Sequence, residues 1–337
     1  MRHMVVTTVQ DLTEDMYSLF DLAGWHVWVI GDKKTPQIRV PEGTPARVSF
    51  VSVSDQAELG LSINTVLPYN HYARKNVGYL LAMGCGAEVI AETDDDNAPL
   101  PDWWDTIGPR LTGYIKAPID TPLFNVYAEY SSGRAWPRGF PLDNVSHHEV
   151  VRWGRVAASE VMVWQGLVEG EPDVDAVFRL IYGSHLKLDG NASSVLALGN
   201  GTYCPFNSQN TVWRKQAYTC MYLPSSVNSR FSDILRSYVA ERVLNEQGWF
   251  VGYTPPSMVQ RRNPHDLMRD LEQEVGMYIK VPQVIDSLRG LSLSGDIAED
   301  MRMVYTRLVE DHVVDPSELR TLAAWLRDVR EVAAKAL

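Results

Sequence analysis

Four short runs rich in β-branched residues, Val5 to Val9, Trp25 to Ile30, Val48 to Val53 and Ala87 to Thr93, alternate with helix-patterned segments. That alternation predicts a largely parallel sheet with crossover helices, and so an α/β N-terminal half. Between the third and fourth runs, Ala73, Val77, Leu80 and Leu81 recur at helical spacing, and Gly84 and Gly86 supply a stop. A helix is therefore expected from Tyr69 to Met83, with Arg74 and Gly78 sharing its second face. Open α/β sheets place ligand groups at the C-terminal ends of their strands, and the fourth run ends in acidic residues.

Pro99 to Pro141 is rich in Pro, Gly, Trp and Tyr without a clear period, and reads as loops and short edge strands around a site. Val161 to Trp164 and Val177 to Ile181 are read as strands. Helices fill the last third. Phe231, Leu235, Tyr238, Val239 and Val243 fit one, and Leu267, Leu271 and Val275 fit another, opened by Asn263-Pro264 and closed by Gly276. In the final helix Asp315, Pro316 and Glu318 read as N-cap, first and third positions. This gives an α/β half over residues 1–145, a second half over 146–285 and a helical region over 286–337.

The chain is long enough for a substantial core: 337 residues, of which 45% are hydrophobic. A formal net charge of −11 argues against a broad electrostatic grip on nucleic acid. Cys85, Cys204 and Cys220 are too few and too scattered for a disulfide framework or a zinc knuckle, and read as buried free thiols. No stretch approaches the roughly 20 apolar residues of a membrane span, and Met1 to Thr8 lacks the pattern of a signal peptide. A cytoplasmic protein without membrane attachment is expected. A homo-oligomer is compatible with such a chain, although no heptad seam argues for one.

Asp94, Asp95 and Asp96 stand together at the exit of the fourth run. Three adjacent carboxylates repel one another unless a cation or water shares the charge. On an extended backbone Asp94 and Asp96 point one way and Asp95 the other. One or two carboxylates with a diphosphate suit a hard divalent ion, Mg or Mn, which would stabilise a leaving diphosphate. The plainer reading of such a run is a polar turn.

Donors for a diphosphate stand in two places, Arg74 with Lys75 and Arg261-Arg262-Asn263-Pro264-His265, the second before a helix N-terminus. His265 is also a candidate metal ligand. His147-His148-Glu149 is a weaker candidate. Asp233 reads as a first-turn helix residue or as a general base toward an acceptor hydroxyl.

Several stretches together resemble the STELLO-type glycosyltransferases: Gly24 to Pro36, Tyr69-Asn70 with Arg74 to Tyr79, Asn207 to Thr211, Arg230 to Ile234, and Gln260 to Asp266 after Pro255-Pro256. A more distant resemblance is to the reversibly glycosylated polypeptides, the UDP-arabinopyranose mutases. It rests on the acidic strand end, Trp136-Pro137-Arg138-Gly139-Phe140-Pro141 and an Asp-bearing helix. These resemblances imply a GT-A fold whose Asp94, Asp95 and Asp96 serve metal and ribose-diphosphate. They further imply that Arg74 and Lys75 face the nucleotide, that Arg261, Arg262 and His265 face the leaving diphosphate, and that Asp233 is the acceptor-side carboxylate. Arg138 matches the arginine that is glycosylated in the mutases, but its neighbours Ser131 to Trp136 depart from the mutase pattern.

The leading expectation is metal-dependent transfer of a sugar from a nucleotide diphosphate donor, a UDP-sugar first, to a hydroxyl of a glycan, small molecule, protein or modified nucleobase. The alternatives are a nucleotide-sugar mutase and a non-catalytic binding or scaffold protein.

Overall fold

The computed structural model describes residues 1–108, 111–131, 135–146, 151–184, 186–188, 195–261 and 266–335. Strands β1 (Arg2–Thr8), β2 (Trp25–Gly31), β3 (Arg47–Val51) and β4 (Val89–Asp94) are the four expected runs. They lie parallel in the order β3-β2-β1-β4. Every residue of β2 is buried, as in a strand covered on both faces. The connections are α1 (Glu14–Phe20) after β1, α2 (Val53–Glu58) and α3 (Lys75–Gly84) before β4. Because β2 and β3 lie on one side of β1 and β4 on the other, the chain reverses its direction of winding there. The C-terminal ends of β1 and β4 therefore diverge and leave a crevice, the usual ligand position of such sheets.

The sheet continues past β4. Its further strands are β5 (Asn97–Pro99), β6 (Tyr114–Ile119), β7 (Arg152–Ala157), β8 (Val161–Gly170), β9 (Leu196–Leu198), β10 (Asn210–Arg214) and β11 (Phe250–Gln260). Among the described residues the order runs β4-β10-β8-β11-β9-β6-β7, with β5 paired to β11. β10 is antiparallel to β4, so one sheet runs from the N-terminal segment into the next. The other helices are α4 (Trp103–Thr106), α5 (Val126–Glu129), α6 (Ala176–Tyr182), α7 (Ser229–Glu246), α8 (Leu267–Arg289), α9 (Ile297–Glu310) and α10 (Glu318–Lys335).

Alternation along β1 divides the interior into two cores. Val5 joins Val77 and Leu80 of α3, Leu235 and Val239 of α7, and Trp325 of α10. Met4 and Val6 face the other way, onto Met16, Leu19 and Phe20 of α1 and Trp103 of α4. Helices thus cover both faces, and the C-terminal region is helical, as expected. Gly78 lets α3 lie close on the sheet, because a Cβ there would stand 2.4 Å from Val5 Cγ1 and 2.8 Å from Ile30 Cγ1.

Several local expectations change. The helix before β4 does not start at Tyr69. Asn70 has φ +52°, outside the helical region, and a 3-10 turn (Tyr72–Arg74), capped by the side chain of His71, leads into α3. Val177 to Ile181 is helical, because the Asp175 side chain caps α6 by accepting from Phe178 N at 2.7 Å. α8 runs through Gly276 and Pro282, held by buried Met277, Val281, Val284, Ile285 and Leu288. Its N-cap is Asp266. Regular hydrogen bonding in α10 begins only at Glu318, whose carboxylate accepts from Ser225 N at 3.0 Å and Ser226 N at 2.6 Å. Cys85 is exposed, whereas Cys204 and Cys220 are buried free thiols. No helix among the described residues is long and apolar enough to cross a membrane.

Glu241 of α7 is buried. Its Oε1 accepts from Cys204 N at 3.1 Å and its Oε2 has no partner among the described residues. Burial pushes its carboxyl well above the ordinary range. Stability from the neutral carboxyl is complete below the unfolded-state pKa and is lost as pH rises toward the folded one. Glu241→Gln is therefore expected to match the parent near pH 4 and to gain up to about 1.4 kcal/mol for each pH unit above that range. Urea unfolding at pH 4, 6 and 8 checks the trend, and a constant difference between the two proteins contradicts it.

Candidate functional site

The crevice at the ends of β1 and β4 is a cavity of about 400 Å³. Thr7 and Thr8 from β1, Asp32 after β2, Asp94 to Asp96 at the end of β4 and the turn beyond it, and Asn207 and Gln209 before β10 line it, together with Arg74, Tyr72, Arg138, Asp173, Arg230 and Asp233. Among the described residues six carboxylates and three guanidiniums therefore face one space, a formal excess of negative charge.

The three aspartates do not alternate along an extended strand, because β4 ends at Asp94 and Asp95-Asp96 form a turn into β5. Each is held by a different element. Asp94 Oδ1 accepts from the Tyr72 hydroxyl at 2.6 Å and from Lys75 Nζ at 3.0 Å. Asp95 Oδ2 accepts from the Thr8 hydroxyl at 2.6 Å, and its carbonyl accepts from the Thr13 hydroxyl at 2.6 Å. Burial first, opposed by the Thr8 bond, raises the Asp95 carboxyl above its ordinary range. Asp96 Oδ2 accepts from Gln260 Nε2 at 2.9 Å.

Lys75 stands behind the cavity wall. It is fully buried and donates to the Tyr72 hydroxyl (2.6 Å), the Thr93 carbonyl (2.7 Å) and Asp94, which engages all three of its N–H groups. It orients Asp94 in place of meeting a ligand. Arg74 does line the cavity and is 2% exposed; its Nη2 donates to Gln56 Oε1, while Nε and Nη1 have no partner among the described residues. Burial lowers its pKa, while Asp32 acts the other way. Arg261 turns elsewhere: its guanidinium pairs with Asp15 of α1 at 2.5 Å, and its backbone N–H reaches the Asp96 carbonyl at 3.1 Å. Arg262, His265 and the His147-His148-Glu149 run lie outside the described residues. Among the described residues no group of three or more His, Cys, Asp and Glu is placed to hold a metal ion.

Asp233 lies in the second turn of α7, later than the first-turn position expected. It is buried and paired with Arg138, whose Nη1 and Nη2 donate to its two oxygens at 3.2 and 3.1 Å. Arg138 Nε and Nη2 also donate to Asp173, each at 2.8 Å, and Nη1 to the Arg230 carbonyl. Burial opposes the Arg138 charge, but Asp173 and Asp233 outweigh it and raise its pKa well above the ordinary value. The turn that presents this arginine needs Gly139: its φ is +84°, and a Cβ there would stand 2.3 Å from Ile234.

Two residues that sequence reasoning missed tie the halves together. The Tyr72 hydroxyl lies 2.5 Å from the Ser208 hydroxyl, which in turn lies 3.2 Å from Asp233 Oδ2. With the Tyr72 proton given to Asp94, the Ser208 hydroxyl donates to Tyr72, and the Ser208 backbone N–H, 3.3 Å from Asp233 Oδ2, completes the line of contacts from Asp94 to Asp233. Beneath it, Arg236 of α7 donates at 2.9 Å to buried Glu92 of β4, two residues before Asp94, and so fixes α7 against the strand.

Residues 230–336, which include Asp233, match the family model described as STELLO glycosyltransferases. The probable glycosyltransferase STELLO1 of Arabidopsis thaliana is 31% identical to this chain over 348 residues, taking in 97% of the chain and 44% of that protein. The probable glycosyltransferase STELLO2 of the same plant is 32% identical over 299 residues, 82% of the chain and 38% of that protein. The chain is similar in sequence to the STELLO glycosyltransferases. It spans less than half the length of these two STELLO proteins, and the STELLO family match covers α7 to α10 and not the acidic turn. Glucosyl-3-phosphoglycerate synthase from Mycobacterium tuberculosis in complex with phosphoglyceric acid is a similar solved structure, with TM-score 0.41 and 11% identity over 87% of this chain and 81% of that one. The same enzyme with Mn²⁺, UDP-glucose and phosphoglyceric acid gives TM-score 0.40 and 12% identity, with the same coverage.

Proposed function

We propose that the cavity binds a nucleoside diphosphate sugar, in the manner of a GT-A enzyme, and passes the sugar to an acceptor hydroxyl with a divalent cation present. The observation that carries this reading is the charge of the lining, six carboxylates against three guanidiniums among the described residues at the switch point of the sheet. Such a wall repels a diphosphate brought alone and welcomes one brought with a cation. Asp94 fits the cation side: both of its protein donors go to Oδ1, and Oδ2 meets none among the described residues. Asp96, on the same turn, is the second candidate ligand. Mg and Mn are commonly held by one or two carboxylates plus phosphate oxygens, so two protein ligands suffice. When bound, the cation supplies charge stabilisation to the departing diphosphate.

The residues of the chain take up the remaining work. Lys75 and Tyr72 hold Asp94 in place, and Arg74, in the cavity lining, adds positive charge on the donor side. Asp233 faces the acceptor side, within hydrogen-bonding reach of Ser208. The mutase alternative would ask the Arg138 guanidine to act as a nucleophile. Held as a cation between two carboxylates, it has no lone pair to offer. Incubation with a UDP-sugar and Mn²⁺ alone, followed by product analysis, is expected to give slow hydrolysis and no ring-isomerised donor. Isomerised donor would favour the mutase.

A further inference from the structure

α8 carries an exposed stripe along its outer side. Met268, Glu272, Val275, Ile279, Pro282 and Asp286 follow one another at steps of 4, 3, 4, 3 and 4 residues, the spacing of a helix-pair seam, and all are exposed. Met268, Val275 and Ile279 are 63, 45 and 71% exposed, and α6, packed beside α8, adds exposed Leu180, Ile181 and Tyr182. Six of the twelve large exposed hydrophobics among the described residues therefore lie on two adjoining helices, a concentration that marks an interaction surface. The seam exists only because α8 runs on past Gly276, where the sequence pattern closes it. A Cβ at Gly276 would meet nothing within 4 Å, so its own chain does not ask for glycine at this exposed mid-helix position, where glycine weakens a helix.

Charge along the seam selects its occupant. In a parallel pair Glu272 and Asp286 would each face their own copies, like charge against like. An antiparallel pair about a two-fold axis level with Met277 sets Val275 against Ile279, Glu272 against Pro282 and Met268 against Asp286, each contact made twice. Arg269, next to Met268, then flanks Asp286 of the second copy, and Gly276 lies beside the axis, where the backbones come closest. Neither Arg269 nor Asp286 has an ion-pair partner in its own chain among the described residues.

We propose that this face is a homodimer interface, in which a second copy of the chain packs its α8 antiparallel against the first. The proposal stands apart from the glycosyl-transfer reading. The inner side of the same helix holds Arg230 of the cavity lining through Asp270 and Glu274, so the interface backs onto the cavity wall.

Sedimentation equilibrium of the unaltered chain at micromolar concentration is expected to give twice the chain mass. Ile279→Glu is expected to weaken the dimer at least about a hundredfold, and to leave the circular dichroism of the chain unchanged because the side chain is exposed. Arg269→Asp and Asp286→Arg are each expected to weaken it about tenfold and, combined in one chain, to restore it, as the antiparallel register requires. A single chain mass at up to about 100 μM, a dimer that Ile279→Glu leaves intact, or charge reversals that fail to compensate each other would overturn the proposal.

Discussion

Arg138→Met is expected to lower the unfolding free energy by roughly 3–5 kcal/mol, the range for breaking a buried ion pair from one side. Arg138 is 8% exposed and Asp233 4%, and removing the guanidinium leaves Asp233 and Asp173 close together without their shared cation. The loss comes less from forfeited attraction than from two carboxylates kept out of water. Urea unfolding near neutral pH measures it. Pairing the change with Asp173→Asn should recover part of the loss, because one of the two carboxylates that faced Arg138 is then neutral. A loss below about 1 kcal/mol would place Arg138 among surface ion pairs of little weight.

Asp94→Asn is expected to lower metal-dependent turnover by at least two orders of magnitude, on the order of the several kcal/mol that cation stabilisation of a leaving group supplies. The amide keeps the shape and gives up the charge. Asp95→Asn is a contrast on the same turn. Asp95 is tied to Thr8 and its backbone to Thr13, so its replacement should be felt first in stability. Initial rates at saturating UDP-sugar, over a series of Mn²⁺ concentrations, separate the two. Equal rate losses in both variants would contradict the division of roles.

The parallel half of the sheet was legible because β1, β2 and β4 are short apolar runs, bounded by polar turns and buried on both faces. Val177 to Ile181 was not, since a brief apolar run has the same look in a strand and in a helix, and the Asp175 cap decides between them. α8 passes Gly276 and Pro282 because its buried face holds it, and local propensity says nothing of that face. At the site, the acidic turn stood out as charge concentrated at a strand end. The roles of Lys75, Tyr72 and Asp173 did not, because no local pattern announces that residue 72 meets residues 94 and 208, or that residue 173 meets 138. The meeting of residues 72, 94 and 208 follows from β10 pairing beside β4.

A nucleoside diphosphate is expected to enter this cavity together with a divalent cation. Calorimetric titration of UDP into the unaltered protein, first with Mn²⁺ and then with EDTA, is the test. Binding with Mn²⁺ that weakens at least about tenfold in EDTA, and equally in Asp94→Asn with Mn²⁺ present, is the expected result. UDP affinity that is the same with and without Mn²⁺, and unmoved by Asp94→Asn, contradicts it.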